Sequence, residues 1–147
     1  MRGQGKGYNI FMILQIYTDG GSKGNPGPAA IGIAYFVNGT KVDTHREDIG
    51  TATNNEAEYT TLIRALELVQ GRSIHTTHSI DKIAVLSDSR LMVNQLKGLF
   101  KVKEARIREF IMKIRILESE IGLPVEYINI PREQNTVADA LVNNKTE

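Results

Sequence analysis

The sequence predicts an α/β fold: a mixed five-stranded sheet, an antiparallel three-strand meander followed by parallel strands, with helices on both faces. Three observations predict it. Runs rich in β-branched and aromatic residues cover residues 13–18 and 31–37, and the second is followed by Asn38-Gly39. That dipeptide suits the two positive φ values of a tight hairpin, so the chain turns straight back into a third strand. After residue 53, helical patterns alternate with short apolar runs, the arrangement that joins parallel strands. Finally, 147 residues with 41% hydrophobic and 24% charged content suffice for one domain with a sizeable core.

The elements follow in order. Residues 13–18 form the first strand, which ends at Asp19-Gly20-Gly21; the glycines and prolines of residues 22–28 read as a loop. Residues 31–37 are the second strand and 41–49 the third. Thr53 or Asn54 caps a helix whose apolar positions Ala57, Leu62, Ala65, Leu66 and Val69 recur at helical spacing. Residues 71–79 read as a polar connection and 83–87 as a buried strand. Asp88-Ser89 opens a helix containing Leu91, Met92 and Leu96. A longer helix over 102–121 carries Ile107, Phe110, Ile111, Ile114, Leu117 and Ile121 as one stripe, and Gly122 and Pro124 stop it. Residues 125–130 alternate as a strand, 131–135 form a loop and 136–143 a last short helix. Residues 1–12 are expected to be a flexible tail ahead of a single domain over 13–147. The tail's alternating glycines follow no strand, so they are not a nucleotide fingerprint.

Composition excludes several chemistries. Without cysteine there is no disulfide, zinc-thiolate site, iron–sulfur cluster or cysteine nucleophile. No apolar run approaches the length of a membrane span, and a cytoplasmic monomer is expected. Gly20-Gly21-Ser22-Lys23-Gly24 lacks the Gly-Lys-Ser/Thr core of a phosphate loop. His45, His75 and His78 have no triad signature around them. Net charge is only +1, but its distribution is uneven: residues 97–115 hold seven basic and two acidic residues, and residues 43–58 hold five acidic and one basic. Each run reads either as a solvated face or as part of a charged binding surface.

Four acidic residues stand at element boundaries: Asp19 after the first strand, Glu58 one turn into the first helix, Asp88 after the strand at 83–87, and Asp139 among small and apolar residues of the last helix. Singly, they read as a turn-former, a helix-dipole partner, an N-cap and a surface residue. Together they point elsewhere. Converging carboxylates repel unless cations lie among them. An all-oxygen set suits Mg²⁺ or Mn²⁺, and a pair of such ions supports phosphodiester hydrolysis.

The motifs resemble those of type 1 ribonuclease H. Thr18-Asp19-Gly20-Gly21-Ser22-Lys23-Gly24-Asn25-Pro26-Gly27-Pro28-Ala29-Ala30-Ile31-Gly32 is similar to the family's first motif. Thr53-Asn54-Asn55-Glu56-Ala57-Glu58-Tyr59 is similar to the second, and selects Glu58 over Glu56. Ser87-Asp88-Ser89 and Val137-Ala138-Asp139-Ala140-Leu141 are similar to the third and fourth. The resemblance implies a ribonuclease H-like fold and an endonuclease that hydrolyses the RNA strand of RNA–DNA hybrids, leaving 5′-phosphate and 3′-hydroxyl ends. It implies Asp19, Glu58, Asp88 and Asp139 as catalytic metal ligands for two Mg²⁺ ions, with Mn²⁺ as a substitute. Asp19 would bridge both ions, Asp139 would serve the water side, and Glu58 and Asp88 the leaving-oxygen side. Gly20, Ser22, Asn25, Asn54 and Asn55 match substrate-contacting positions, and Thr53 one that grips a DNA-strand phosphate. Duplex RNA is a second candidate substrate.

Two features depart from the family's common pattern. The loop before Asp139 has no histidine, which leaves Arg132 or Glu133 to assist turnover. The short Lys97-Gly98-Leu99-Phe100-Lys101 connection has no room for the basic protrusion of some members, so Lys101, Lys103, Arg106 and their neighbours are expected to grip substrate. The competing readings are a hybrid- or RNA-binding module with impaired catalysis, and another nuclease or transferase on the same fold.

Overall fold

The computed structural model describes residues 10–144. β1 (Ile13–Ser22), β2 (Gly27–Val37) and β3 (Thr40–Ala52) form the meander. Its tight turn carries Asn38 and Gly39 at φ 46° and 87°, as the dipeptide requires. α1 (Asn54–Gly71) leads through a single turn, α2 (Ile74–Thr77), to β4 (Lys82–Ser87). α3 (Arg90–Leu96), α4 (Ala105–Ile121), β5 (Val125–Asn129) and α5 (Thr136–Val142) complete the chain. The sheet order is β3-β2-β1-β4-β5. β1 pairs antiparallel with β2 and parallel with β4, and β4 pairs parallel with β5, so the expected mixed sheet is the observed one.

One face of the sheet carries the main core. Leu14 and Ile16 of β1 and Ile31, Ile33 and Tyr35 of β2 are fully buried, as are Leu62, Ala65, Leu66 and Val69 of α1. Each large apolar side chain so buried contributes about 1.5–3 kcal/mol relative to exposure. The Tyr35 hydroxyl, sunk in this core, donates to the Ala65 carbonyl at 2.7 Å. α4 packs beside α1: Ile107, Ile114, Leu117 and Ile121 are buried, and Phe110 stacks on Tyr59 with ring centroids 5.8 Å apart. Among the described residues the opposite face carries α5, which packs on β1, β2 and β3, so helices lie on both faces as expected.

Thr53 is the cap of α1. Its hydroxyl accepts from the Glu56 amide at 3.1 Å and the Glu56 carboxylate accepts from the Thr53 amide at 2.9 Å, a reciprocal capping box.

Several boundaries differ from the sequence expectation. The loop expected over 22–28 shrinks to residues 23–26, because Ser22 still pairs with Ala29 and the Lys23 amide donates to the Pro28 carbonyl at 2.8 Å. Glycine and proline weaken a strand in isolation, but two-sided pairing extends it here. The polar connection contains α2, anchored by buried Ile74, and the loop before α5 contains a 3₁₀ turn over Arg132–Gln134. α4 starts at Ala105 rather than 102. Of the tail expected over 1–12, residues 1–9 lie outside the described residues. Met12 exchanges hydrogen bonds with Asp81, its amide reaching the carboxylate at 2.7 Å.

Two glycines set the layer spacing at the carboxyl end of β1. A Cβ on Gly20 would lie 2.4 Å from the Ala57 carbonyl oxygen of α1, and one on Gly32 would lie 2.4 Å from the Ala138 carbonyl oxygen of α5. Gly32 pairs with Asp19 and Gly20 with Ile31, so the two glycines point to opposite faces. Both clashes are with backbone, which cannot swing aside. Gly20→Ala and Gly32→Ala should therefore each destabilise by about 1–3 kcal/mol. Gly71→Ala, with nothing near its Cβ position, should be neutral or stabilise by up to about 1 kcal/mol. Urea unfolding of the three variants checks this, and equal midpoints would refute the close-approach account.

Candidate active site

β1 delivers Asp19 at its carboxyl end, nine-tenths buried or more at 6% exposure. Thr18 pairs with Ser87 in the parallel β1–β4 ladder. The next residues, Asp19, still paired with Gly32 of β2, and Asp88, just past the end of β4, therefore lie side by side. α1 brings Glu58 over the same point, where its Oε1 accepts from the Gly20 amide at 3.1 Å. The absent Cβ at Gly20 is what lets α1 come this close. Asp19, Glu58 and Asp88 each offer an oxygen within 4.8 Å of the others. Asp139, in the first turn of α5, lies outside that group of three but reaches the Asp19 carboxyl as a hydrogen-bond partner. On its other side Asp139 Oδ1 accepts from Asn143 Nδ2 at 3.1 Å.

Burial and like charge act in the same direction here. Burial pushes the Asp19 carboxyl up to about 7, with the Asp88 and Asp139 charges adding to the effect and Arg132 opposing it. Burial also raises Glu58 well above the ordinary carboxylate range; Asp19 and Asp88 add to this, while the Gly20 amide and Arg132 offset part of it. A carboxylate cluster of this kind is favourable when its charge is neutralised, either by protons or by a cation. All donors are oxygens, with no imidazole or thiolate among them, so the set fits a hard divalent cation such as Mg²⁺.

The cluster opens into a cleft of about 600 Å³ lined by Asp19, Glu58 and Asp139 together with Asn54, Arg46 and Arg132. Gly20 and Ser22 line it too. The Ser22 amide donates to Asn54 Oδ1 at 3.0 Å, and the Ser22 hydroxyl bonds the Gly24 carbonyl. A second hollow of about 270 Å³ lies across the amino end of α1, lined by Asn25, Thr53, Asn55, Glu56, Glu104 and Arg106. Asn25 ties its loop to the helix by accepting from the Asn54 amide at 2.9 Å; the Asn25–Pro26 peptide is cis.

Other expected residues lie further out. Lys101 and Lys103 are exposed and line neither hollow. Of the three expected cations, Arg106 is the one beside Thr53, 3.1 Å from Glu56 and 5.1 Å above the Phe110 ring. Glu133 is exposed and outside the cleft lining, whereas Arg132 belongs to it. Sequence reasoning missed Asn135. It is fully buried, and its Nδ2 donates to the Thr18 carbonyl at 2.9 Å and to Asp88 Oδ2 at 3.3 Å. Its place before a helix resembles a capping site, but its side chain makes no cap bond. Only the fold reveals that it braces Asp88 instead.

The raised Asp19 group has a consequence for metal-free stability. Between its ordinary value of 3.8 and about 7 the folded protein holds a proton that the unfolded chain has lost. Stability from this group is complete below the lower value and lost as pH rises through the upper one. Asp19→Asn removes the titration while keeping the shape. In chelator, at about pH 8, this variant should melt several degrees above the unsubstituted protein, and the gap should close towards about pH 4. Equal melting temperatures at the higher pH would contradict the buried-repulsion account.

Residues 17–145 match the family model described as reverse transcriptase-like. The bifunctional protein Rv2228c of Mycobacterium tuberculosis is 37% identical over 134 residues, covering 90% of this chain and 35% of that protein. The chain thus spans about a third of the length of that curated relative. Among solved structures, RNase H1 from the archaeon Halobacterium salinarum superposes with TM-score 0.80 at 36% identity, covering 90% of this chain and 96% of that one. LC11-RNase H1 in complex with an RNA/DNA hybrid gives TM-score 0.81 at 40% identity, covering 90% and 95%. With these similarities spanning the sheet, both helical layers and all four acidic positions, the chain belongs to the reverse transcriptase-like family and is a ribonuclease H-like domain of the type 1 kind.

Proposed function

We propose that this domain is an endonuclease that hydrolyses the RNA strand of RNA–DNA hybrids, leaving 5′-phosphate and 3′-hydroxyl ends. The observation that carries this reading is the set Asp19, Glu58 and Asp88, the first two buried and the third half-buried, with Asp139 beside it, where Asp19, Glu58 and Asp139 line an open cleft. A relative of 40% identity holds an RNA/DNA hybrid in its solved structure, which supports a hybrid as substrate.

Asp19, Glu58, Asp88 and Asp139 would hold Mg²⁺, or Mn²⁺ in its place. Bound there, the metal supplies Lewis-acid neutralisation of phosphodiester charge and a more acidic water. The chain's own residues do the rest. The Gly20 amide fixes the rotamer of Glu58, and Asn135 fixes that of Asp88. Asn54, whose Oδ1 is held by the Ser22 amide, lines the cleft and would offer its Nδ2 donors there. Such donors suit the 2′-hydroxyl that separates RNA from DNA. The Thr53 and Asn25 hollow, with Asn55 and Arg106 on its wall, suits a phosphate of the second strand. Arg132 adds positive charge at the cleft edge, where it would help bind and release the phosphate ends; Glu133 is a weaker candidate for this because it stands outside the lining. Lys101 and Lys103 would extend the grip along the backbone as exposed cations.

No helix among the described residues is long and apolar enough to cross a membrane. A cytoplasmic monomer as the working form belongs to this proposal.

The test is cleavage of a 5′-labelled RNA strand in a hybrid, with Mg²⁺, Mn²⁺ or chelator, beside duplex RNA and duplex DNA. Hybrid cutting that chelator stops is expected, and Asp19→Asn or Asp88→Asn should abolish it without unfolding the protein. Near-normal rates in either variant would sink the assignment. Absence of cutting by the folded protein with every metal would favour the binding-module reading. Lys101→Ala combined with Lys103→Ala should weaken hybrid binding and flatten its log–log salt slope by up to about 1.8; an unchanged slope would remove both lysines from the binding face.

A further inference from the structure

α5 is seven residues long, too short to hold its shape without tertiary contacts. Yet it carries the fourth carboxylate of the cluster. Its position is set by a row of residues that runs straight across three strands: Asp19 of β1 pairs with Gly32 of β2, which pairs with Arg46 of β3. Directly paired residues share a face, and α5 lies across this row. Asp139 meets Asp19, the Ala138 carbonyl sits over the missing Cβ of Gly32, and the Leu141 carbonyl accepts from Arg46 Nε at 2.8 Å. The Leu141 carbonyl, near the carboxyl end of the helix, also accepts from the Asn144 amide at 3.1 Å, so Arg46 adds a tertiary bond to a carbonyl whose local partners lie in the same short segment. Asn135 pins the other end of the helix to β1 through the Thr18 carbonyl. The Arg46 guanidinium is itself steadied by Asp48 at 3.1 Å.

We propose that Arg46 is a positioning residue for Asp139: its bond to the Leu141 carbonyl clamps the carboxyl end of α5 onto β3 and so holds the Asp139 carboxylate against Asp19. This deepens the metal-site reading and rests on it for its consequence, though the clamp itself is a statement about α5. Arg46 also lines the cleft, so its charge could act directly on a cation or a phosphate. The two roles separate by sign and by chemistry. A positive charge beside a cation site weakens cation binding, so losing charge alone would tighten it. Losing the clamp would loosen it.

The experiment compares Arg46→Gln with Arg46→Met. Glutamine places an amide N–H where Arg46 Nε stands and removes the charge; methionine keeps the length and removes both donor and charge. Two readouts are taken on the folded, metal-free protein: hydrogen exchange of the α5 amides, and calorimetric titration with Mn²⁺. The Asp139 and Asn143 amides, both bonded within the helix, should exchange about tenfold faster in Arg46→Met than in Arg46→Gln. Mn²⁺ affinity should fall about tenfold in Arg46→Met, the low end of losses from second-sphere changes, and stay near or above the unsubstituted value in Arg46→Gln. Identical exchange and affinity in the two variants would overturn the proposal. If the unsubstituted protein binds no Mn²⁺, the metal reading falls, and the exchange comparison alone decides whether Arg46 clamps the helix.

Discussion

Two helices must approach the end of one strand closely enough for their carboxylates to meet, and that approach is a matter of missing atoms. Gly20 lets the Ala57 turn of α1 settle onto one face of β1, which puts Glu58 within reach of the Gly20 amide. Gly32 lets α5 settle onto the opposite face, which brings Asp139 to Asp19. A methyl group at either position would push a helix backbone away by more than the tolerance of a carboxylate cluster. The core under α1 and the clamp on α5 work against the same resistance, because the groups being brought together repel. Part of the folding free energy from the packed sheet and helices is therefore held as electrostatic tension at the site.

That tension gives the cluster its chemistry. Asp19 is buried and next to Asp88 and Asp139, so it is poised near neutrality; Glu58, also buried, lies well above its ordinary range. Arg132 relieves both only in part, from the cleft edge. A divalent cation is a more complete remedy than one guanidinium, which explains how an acidic cluster can be retained inside a stable domain. The same cleft opens to a polar wall of Ser22 and Asn54, and a second, separate hollow lies at Thr53 by the amino end of α1. Two strands of a nucleic acid need two such grips, one for each backbone.

Much of this was legible in the sequence. The meander follows from Asn38-Gly39, the parallel half from alternating helical and apolar patterns, and the helix cap from Thr53 three residues before Glu56. The gathering of Asp19, Glu58 and Asp88 follows because Asp19 and Asp88 stand towards the carboxyl ends of strands and Glu58 towards the amino end of a helix that packs on them. What was not legible depends on register. Gly32 matters because it pairs with Asp19, and Arg46 because it pairs with Gly32; neither pairing is visible in one-dimensional spacing. Asn135 looks like a cap and acts as a brace across more than a hundred residues of chain. Charge runs place cations along the chain but not against a particular hollow. Of Lys101, Lys103 and Arg106 in the basic stretch, Arg106 is the one that lines the second hollow, because the chain from 97 to 104 runs outside the helix and α4 begins only at Ala105.

The account turns on buried carboxyl groups that hold protons until a cation replaces them. Calorimetric titration of the domain with Mg²⁺ near pH 6.5, in two buffers of different ionisation enthalpy, measures this directly. Protons leaving Asp19 and Glu58 as the cation enters would make the observed heat depend on the buffer, with net proton release that shrinks as pH rises above about 8. Binding heats that are the same in both buffers, or no saturable binding, would contradict it.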